Sequence, residues 1–365
     1  MTHFCLISHE LLPNLLPVLD PLLRPDKVVM AVSDQMLERA GWLEKELLEK
    51  GIAVEKVRIE NAHQISQLEE TFLSWLKEHA DEKVLLNVTG GTKPMAIAAQ
   101  EAFGQLDKPV FYVNVQNDEV MWLRQKYPSN ILEPKILLKN VLAVHGYTID
   151  ERENNKASAA WNKLSVTLGK KAGDWVSEIA VLKSYCDDAQ STGRLDQGKI
   201  SPPDCPSMQK VLQLLYECKI TSSPHRLMFV SKSACQFIKS DWLEYYAYNV
   251  VKSMASTQDV RMDVNIISSR GVRNQLDVAF LARNRLFLVE CKVFSFAKSS
   301  SRDLTEAIYQ LETLGKTGGL RTRGVLVSYK DIGKLNKERA REAGLTTIDF
   351  VQLPHLRQEL EKIIA

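Results

Sequence analysis

Three ionisable residues in the last third of the chain stand on two neighbouring apolar segments. Asp277 lies in the first segment, and Glu290 and Lys292 lie in the second, LFLVECKVF. The short basic stretch 282–285 between the segments predicts a tight turn that joins two strands. Because residues two apart on a strand point to the same face, Glu290 and Lys292 share a face, and Asp277 can lie beside them.

Two carboxylates and an ammonium group at one point predict a site for a divalent metal ion, Mg²⁺ or Mn²⁺. Such ions take carboxylate and water oxygens and leave room for a phosphate. A bound metal lowers the pKa of a coordinated water and neutralises phosphoryl charge, while a lysine orients the water or stabilises the anionic transition state. We therefore predict Asp277 and Glu290 as metal ligands and Lys292 as a catalytic group. The alternative is an edge strand with a solvated Glu–Lys pair.

A second acidic position lies upstream, in the segment Ser240–Lys252. Its pattern predicts a helix with Ser or Asp at the N-cap, and Glu244 falls in the first turns. A helical glutamate followed by a strand aspartate and then Glu-x-Lys extends the predicted catalytic set to four residues, because Glu244 can serve as an auxiliary acid.

The first 145 residues alternate between strand and helix patterns, which indicates a mainly parallel sheet covered on both faces. Ligands of such sheets bind at the carboxyl ends of the strands. The loop NVTGGTKP follows the fourth predicted strand there. Its backbone and the following helix start favour an anion, which predicts a ligand site at Thr89, Gly90, Gly91, Thr92 and Lys93. The order Thr92-Lys93 does not satisfy a Walker A motif, and the alternative is a capped turn without a ligand.

Composition and charge narrow the class of protein. Residues 1–145 contain 15 Lys and Arg against 20 Asp and Glu, whereas residues 261–345 contain 16 against 9. A basic half that carries a metal site suits a polyanionic substrate, although charge counts alone fit a solvated surface equally well. None of the six cysteines forms a C-x-x-C pair, so we predict neither a zinc site nor disulfides, and we expect a cytoplasmic protein. No apolar run approaches the ~18 residues of a membrane span, and no signal peptide is recognisable at the N-terminus.

The middle of the chain, residues 146–230, is less informative. A polar stretch over 147–160 suggests a linker, residues 157–191 suggest two helices, and the Gly/Pro/Ser-rich stretch 193–207 suggests a loop. SMQKVLQLLYECKI predicts a further helix, and RLMFVS predicts a strand. The sequence leaves open whether this segment connects two domains or extends the second one.

The arrangement Glu244, Asp277, Glu290, Lys292 resembles the PD-(D/E)xK nuclease superfamily, although Leu276 stands where that family's name has proline. The loop NVTGGTKPMAIAA resembles that of the CRISPR-associated Rossmann-fold (CARF) sensor domain, and Ser8-His9 after the first strand fits the other ligand loop of such domains. The two together resemble the CRISPR ancillary nucleases of type III systems. The resemblance implies an N-terminal Rossmann-like CARF domain (1–145), a linker and helical connector (146–230), and a restriction-endonuclease-like domain (231–365).

The same resemblance implies a homodimer that binds cyclic tetra-adenylate across two CARF loops. Binding would activate metal-dependent cleavage of single-stranded DNA and RNA, with nicking of supercoiled DNA in some members. Two alternatives stay open: a nucleotide sensor whose nuclease fold serves only to bind nucleic acid, and a ring nuclease that degrades its own activator. We expect four arginines to flank the predicted metal site and either to hold phosphates or to cap strand ends: Arg270, Arg273, Arg283 and Arg285.

Overall fold

The computed structural model describes residues 1–124, 127–151, 158–192, 195, 204–293 and 301–365. These residues form two compact units. The N-terminal unit comprises Met1–Ile149 and two short segments from later in the chain, Ile267–Val272 and Thr317–Leu320. The C-terminal unit comprises Asp150–Ile266, Arg273–Lys316 and Arg321–Ala365. No helix in the described part of the chain combines the length and apolarity needed to cross a membrane.

The N-terminal unit alternates strands and helices, as the sequence predicts. Its elements are β1 (Thr2–Leu6), α1 (Leu12–Leu19), β2 (Lys27–Ser33), α2 (Leu37–Glu49), β3 (Ala53–Ile59), α3 (Ile65–Glu78), β4 (Val84–Asn87), α4 (Lys93–Gln105), β5 (Val110–Asn114), β6 (Glu119–Trp122), β7 (Asn130–Ile131), α5 (Leu138–Ala143) and β8 (Tyr147–Ile149). Helix α1 is the one long element in this list without a predicted counterpart. All eight of its residues are buried, so it carries no polar face from which a helical period could be recognised.

The sheet of this unit has the order β3-β2-β1-β4-β5-β6-β7. Strands β1 to β5 pair in parallel, and β6 and β7 add antiparallel pairs at one edge. The chain fills one side of β1 with β2 and β3 and then returns to the other side with β4. Strand order therefore reverses between β1 and β4, and the loops after these two strands flank the point at which such sheets bind ligands.

Strand β1 owes its central position to aromatic packing. The Phe4 ring meets the edges of Phe72, Trp75 and Phe103, with ring centroids 5.7, 5.0 and 5.3 Å apart. All four side chains are buried, and truncation of such a phenylalanine to alanine costs about 3–5 kcal/mol. This cluster fixes the end of β1, from which one of the candidate ligand loops emerges.

The C-terminal unit begins with helices and continues as a mixed sheet covered by helices. Its elements are α6 (Ala159–Lys170), α7 (Val176–Thr192), α8 (Pro206–Glu217), α9 (Lys232–Gln236), α10 (Trp242–Lys252), β9 (Gln258–Ser268), β10 (Arg273–Ala282), β11 (Arg285–Lys292), α11 (Ser301–Gly315), β12 (Arg323–Ser328), α12 (Lys334–Glu342), β13 (Thr346–Ile348) and α13 (Leu356–Ile364). The last two residues of β9 belong to the N-terminal unit.

The strands of this sheet follow the order β13-β12-β11-β10-β9. The predicted hairpin is confirmed: β10 and β11 are antiparallel, and Ala282 pairs with Arg285 across the two-residue turn. Both turn residues, Arg283 and Asn284, have φ near +50°, which is the type I′ geometry that suits the twist of a hairpin. Strands β11, β12 and β13 then pair in parallel.

The helices of the middle segment extend the second unit. Residues of α6, α7 and α8 share one buried core with Trp242, Phe287 and Tyr329. Gly169 lets α6 approach the Tyr246 ring so closely that a Cβ there would overlap it. The predicted strand over 226–231 is wrong: this stretch contributes only a single bridge, between Phe229 and Thr221. Residues 226–231 are rich in apolar side chains, but in the described part of the chain they pair with no strand beyond this bridge. Residues 152–157, 193–194 and 196–203 of the predicted linker and loop lie outside the described residues.

Candidate functional sites

The hairpin brings the predicted catalytic residues together. The last backbone pair of β10 and β11 joins Val278 and Val289, so Asp277 and Glu290 are the next residues on the two strands. Beyond that pair, a side chain replaces the backbone as the hydrogen-bond acceptor. Asp277 Oδ2 accepts a hydrogen bond from Cys291 N at 2.7 Å. Lys292 Nζ lies 2.6 Å from Glu290 Oε1. The i, i+2 pattern thus places an acid and an ammonium group side by side.

Helix α10 supplies the fourth predicted residue. It packs against both hairpin strands through a buried face that includes Trp242, Leu243 and Ala247. A π-helical turn over Phe237–Asp241 precedes it, and such turns recur at functional sites because they redirect a helix. Glu244 follows in the first turn, half-buried. The helix and Glu244 lie where the sequence predicts them.

Two further acids face this cluster that sequence reasoning missed. Asp241 ends the π-helical turn and accepts hydrogen bonds from Ser240 Oγ and Gln236 Nε2. Asp263 lies in β9 with φ of 53°, an unusual backbone conformation for a non-glycine residue within a strand, and accepts from Gln275 Nε2. No strand was predicted over β9, so the only available signal was an acid in a segment of alternating polarity.

The cluster is electrostatically crowded. Burial raises the pKa of Glu244, and the charges of surrounding acids raise it further: Asp277, Asp241, Asp263 and Glu290. Burial and Glu290 likewise raise the pKa of Asp277, which the Cys291 N–H opposes. Burial alone would lower the pKa of Lys292, but Glu290 and Asp277 raise it above its ordinary value. Five carboxyl groups thus interact with one another, while one ammonium group lies beside two of them, and this excess of negative charge favours a bound cation.

The donor set fits a hard divalent ion. Glu290 is 3% exposed and Asp277 is held by a backbone N–H, so both carboxylates are oriented before any ion arrives. Mg²⁺ needs one or two carboxylates, with the remaining positions taken by water and substrate phosphate. Within the described ranges, no three His, Cys, Asp or Glu side chains already form a ligand set by themselves. The fit therefore rests on two carboxylates, with Lys292 adjacent.

The arginines of the hairpin turn lie away from this cluster. Arg283 and Arg285 are at the opposite end of β11 from Glu290, and five residues of extended strand span roughly 17 Å. The Arg283 guanidinium donates to the carbonyl oxygen of Ala365. The expectation that this turn flanks the metal site is therefore wrong. The arginines are near Glu290 in sequence but not in space, because an extended strand rises by about 3.3 Å per residue.

In the N-terminal unit, the two glycines of the loop after β4 serve a close approach between backbones. A Cβ at Gly90 would overlap the carbonyl oxygen of Leu6, and one at Gly91 would lie 2.8 Å from the Leu6 side chain. Gly91 also has φ of +76°, which favours glycine. The loop after β4 therefore packs directly against the end of β1. The two glycines are required by this contact with Leu6.

A buried amide network holds this loop in place. Asn87 is fully buried, and its Nδ2 donates to Pro13 O at 2.9 Å and to Asn14 Oδ1 at 3.2 Å. Its Oδ1 accepts from both the N–H and the hydroxyl of Thr89, at 3.0 and 2.6 Å. Asn14 Nδ2 in turn donates to Leu6 O at 3.1 Å. Asn87 therefore ties the loops after β1 and β4 together, a role that its position as the last residue of a buried strand could have signalled.

The predicted ligand residues divide into structural and exposed ones. The Thr92 hydroxyl caps α4 by accepting from Met95 N and donates to Ala62 O at 2.6 Å. The Thr89 hydroxyl also accepts from Val113 N at 2.8 Å. Lys93, the first residue of α4, and His9 are exposed, and Ser8 is half-buried. The surface offered to an anion thus consists of Lys93, His9, Ser8 and backbone N–H groups at the start of α4.

Comparison with known proteins assigns each unit to a family. The family model described as the Card1 CARF domain matches residues 2–147, and the one described as the Card1-like endonuclease domain matches residues 231–365. The chain belongs to the CARF-domain CRISPR ancillary nucleases. The predicted resemblance and the predicted pair of folds are both confirmed.

Solved structures share the whole architecture of this ancillary nuclease at low sequence identity. Protein VC1899 from Vibrio cholerae is 22% identical with a TM-score of 0.87, and the match covers 100% of this chain and 97% of that one. Can2 from Sulfobacillus thermosulfidooxidans, solved in complex with cyclic tetra-adenylate, is 24% identical with a TM-score of 0.83 and the same coverage. A type III CRISPR defence DNA nuclease activated by cyclic oligoadenylate is 17% identical with a TM-score of 0.57, covering 90% of this chain and 45% of that one. No curated protein matches significantly.

In this ancillary nuclease, each predicted site falls within one matched domain. The four predicted catalytic residues lie in the endonuclease domain, and both candidate ligand loops lie in the CARF domain. Residues 148–230 lie in neither match, although α6 to α8 pack into the endonuclease core. Within each unit the structure brings the predicted site residues together, apart from the hairpin arginines. It adds Asn87 and Asn14 to the loop site, and Asp241 and Asp263 to the carboxyl cluster.

Proposed function

We propose that this chain is a metal-dependent nuclease that cyclic oligoadenylate, most simply cyclic tetra-adenylate, activates in type III CRISPR antiviral defence. The observation that carries the proposal is the convergence of Asp277, Glu290, Lys292 and Glu244 from two strands and a helix. Crowded carboxylates beside a lysine favour a divalent cation. A divalent cation and a lysine together suit the cleavage of a phosphodiester, because both stabilise negative charge on the phosphate.

The proposed activator site is the surface between the loops after β1 and β4. The N-terminal unit is acidic overall, so an anion is attracted there by local groups: Lys93, the backbone N–H groups at the start of α4 and the Ser8–His9 loop. Asn87 and the two glycines hold both loops in fixed positions, which lowers the entropy lost when a ligand binds. The similar fold of Can2, which binds cyclic tetra-adenylate, supports this choice of ligand.

We propose a homodimer, because a cyclic tetranucleotide presents the same groups on two sides and suits two copies of one loop. An exposed apolar strip supports a second copy as the partner. Tyr112 pairs with Met121, and Ile131 pairs with Glu119 on the same sheet face, so all three apolar side chains point one way. Ile97, 57% exposed, lies one helical turn after Lys93 and therefore on the same face of α4.

The catalytic roles follow from the contacts. Mg²⁺ or Mn²⁺, when bound by Asp277 and Glu290, would act as a Lewis acid and lower the pKa of a coordinated water. The Cys291 N–H keeps the Asp277 carboxylate oriented. Glu290 restrains the Lys292 ammonium at 2.6 Å, so its charge is already positioned for the charge that develops on the phosphate. Glu244 adds a carboxyl group that burial and its acidic neighbours keep easily protonated.

The proposed substrates are single-stranded DNA and RNA, with nicking of supercoiled DNA. The positive balance of residues 261–345 supports a polyanionic substrate at this domain. A direct test incubates the full-length protein with end-labelled single strands of each kind and with supercoiled plasmid. Each is measured in Mg²⁺, Mn²⁺ or EDTA, with and without cyclic tetra-adenylate or cyclic hexa-adenylate.

We expect cleavage only when a metal and one cyclic oligoadenylate are both present. Cleavage that is equal without any cyclic nucleotide would overturn the sensor assignment, and cleavage that is equal in EDTA would overturn the metal assignment. Chromatography of the same samples follows the activator itself. Loss of the cyclic nucleotide without cleavage of any nucleic acid would identify a ring nuclease in place of the proposed function.

A further inference from the structure

A four-residue segment from late in the chain forms part of the N-terminal unit. Thr317–Leu320 lies between Lys316 and Arg321, which both belong to the C-terminal unit. The segment follows α11 and precedes β12. It is therefore continuous in sequence with elements of the endonuclease domain, while its contacts are with the CARF domain.

Glu10 is the residue that holds this segment. Its Oε2 accepts a hydrogen bond from Leu320 N at 2.8 Å. Its Oε1 lies 3.3 Å from His145 Nε2 and accepts from Leu12 N at 3.4 Å. The side chains of Glu10 and His145 are 15% and 5% exposed. A carboxylate with this many partners at low exposure is fixed in position, and through it the Leu320 N–H is fixed as well.

His145 is itself oriented by the backbone. Its Nδ1 lies 2.7 Å from Val141 O, and a carbonyl only accepts, so Nδ1 carries a proton. That contact turns Nε2 toward the Glu10 carboxylate, 3.3 Å away. Burial raises the pKa of Glu10, but the hydrogen bond and charge of His145, with the Leu320 and Leu12 N–H groups, lower it below its ordinary value.

Gly319 permits the close approach. Its φ is +78°, and a Cβ there would overlap His145 Nε2 and lie 2.6 Å from Glu10 Oε2. Any other residue would force the segment away from the pair. The conformation and the space thus both demand glycine at the point where the segment meets Glu10.

Glu10 also belongs to the loop that carries the proposed activator site. It follows Ser8 and His9 directly, and Ser8 Oγ donates to the Glu10 carbonyl oxygen at 3.2 Å. Arg39 fixes the same loop by donating to His9 O at 3.1 Å. A ligand that shifts Ser8 or His9 therefore shifts the backbone of Glu10, and with it the partner of Leu320.

Leu320 is three residues from β12, the parallel neighbour of the catalytic strand. Leu326 pairs with Glu290, and Ser328 pairs with Lys292. We propose that Glu10 couples the activator loop to the catalytic strand through Leu320 and β12. This inference rests on the proposed function and names its regulation. Coupling of this kind needs a contact whose strength differs between the bound and unbound states, and we assign that role to the Glu10–Leu320 hydrogen bond.

The test compares Glu10→Ala and Glu10→Gln with the wild-type protein in two separate measurements. One measures the dissociation constant of cyclic tetra-adenylate by calorimetry, and the other measures the ratio of activated to basal nuclease rates at saturating activator. We expect Glu10→Ala to reduce that ratio by about 5- to 150-fold, the usual range of coupling between sites, while the dissociation constant changes less than about threefold. Glu10→Gln keeps an acceptor for Leu320 N and should retain a larger ratio than Glu10→Ala.

Two further variants separate coupling from general damage. Gly319→Ala pushes on the same contact from the other side and should lower the ratio in the same way. Glu38→Ala is the matched control, because Glu38 is an acid of the same unit whose Oε1 lies 3.5 Å from Ser269 Oγ in the other late segment. Its ratio should stay at the wild-type value, and circular dichroism checks that all variants are folded.

The outcomes distinguish this inference from the proposed function. If cyclic oligoadenylate does not stimulate the wild-type protein, the proposed function fails. If the wild type is stimulated and both Glu10→Ala and Gly319→Ala keep its ratio, the coupling role of Glu10 is wrong. A folded Glu10→Ala protein that loses activator affinity tenfold at an unchanged ratio would likewise overturn it, by placing Glu10 in the binding site.

Discussion

The two candidate sites stabilise their polar groups in opposite ways. In the loop network around Asn87, amides, hydroxyls and backbone groups are neutral, buried and mutually hydrogen-bonded. In the cluster around Glu290, carboxyl groups crowd one another, and burial and like charge raise the pKa of Glu244, Asp277 and Asp241. The first arrangement is complete without a ligand and positions a surface, whereas the second is relieved only by protons or a cation.

The contrast teaches where function resides in each domain. The hydrogen-bond network around Asn87 can be rigid in the absence of its ligand, so its role is to hold the loops after β1 and β4 in fixed positions. The crowded carboxyl groups around Glu290 contribute little to stability, and they retain affinity for a cation.

The largest effect is expected from removal of a carboxylate in the cluster. Asp277→Ala and Glu290→Ala should each abolish activated cleavage, because each deletes a ligand charge for the metal. Cyclic tetra-adenylate affinity, measured by calorimetry, should stay unchanged, because the activator loops lie in the other unit. Wild-type cleavage rates in either variant would contradict the assignment of the metal ligands.

Removal of the lysine should lower the rate by about 10²–10³-fold, the usual effect of deleting one preorganised electrostatic group. In Lys292→Ala, Mn²⁺ affinity should stay within a few-fold of wild type, because the ammonium group acts on water and the transition state. Single-turnover cleavage and Mn²⁺ titration measure the two quantities. Loss of metal affinity with a preserved rate per bound metal would argue against this role.

In the satisfied network, Asn87→Ala should destabilise the folded protein by about 2–4 kcal/mol, because it leaves buried partners without hydrogen bonds. Urea unfolding measures the change. Asn61→Ala is the matched control: Asn61 is exposed and accepts only a local hydrogen bond from His63 N, so its loss should cost less than about 0.5 kcal/mol. Equal effects of the two changes would show that the network is not what holds the loops.

On the surface of the network, Lys93→Ala should weaken cyclic tetra-adenylate about tenfold, in line with one charge-assisted hydrogen bond. The cleavage rate at saturating activator should be unchanged. Thr92→Ala should weaken the activator too, and it should also destabilise the protein by about 1 kcal/mol because it removes the cap of α4. Lys77→Ala, an exposed lysine of α3, serves as the control, and unchanged affinity in Lys93→Ala would remove this loop as the sensor site.

A pH dependence of stability in EDTA is also expected from the carboxyl cluster. The folded-state pKa of Glu244 is raised, so above the ordinary Glu value of 4.5 the folded state holds protons that the unfolded state has lost. Stability should therefore fall as pH rises from about 5 to about 9, and less steeply in Glu244→Gln. Glu10 has the opposite sign, since its lowered pKa removes stability only as pH falls below the ordinary value. Urea unfolding at several pH values measures this dependence. If the free energy of unfolding changes equally with pH in wild type and in Glu244→Gln, the acidic neighbours of Glu244 do not affect its protonation.

The sequence predicts those parts of the molecule whose signals are local. The hairpin is recognisable because two apolar runs flank a two-residue turn. The helix of Glu244 is confirmed, but its predicted N-cap is wrong: Asp241 is itself helical and caps no N–H group, because the helix continues from the π-helical turn before it. Helix α1 escapes prediction because burial on every side erases its period. Asp263 escapes because its orientation depends on a positive φ within β9, and Glu10 because its partner Leu320 lies 310 residues away. Arg283 was misplaced because strand length, and not nearness in sequence, sets its distance from Glu290.

The late segments of the N-terminal unit impose an order on its biosynthesis. A ribosome that has added Ile149 must still add residues 150–316 before it reaches Thr317, which takes roughly 10–30 s at ordinary elongation rates. By then Asp277, Glu290 and Lys292 have all been made. The hydrogen bond between Glu10 and Leu320 joins two residues that are 310 positions apart in the chain. A nascent or truncated chain that ends before residue 320 therefore carries an unfinished sensor, whatever part of its nuclease has already emerged.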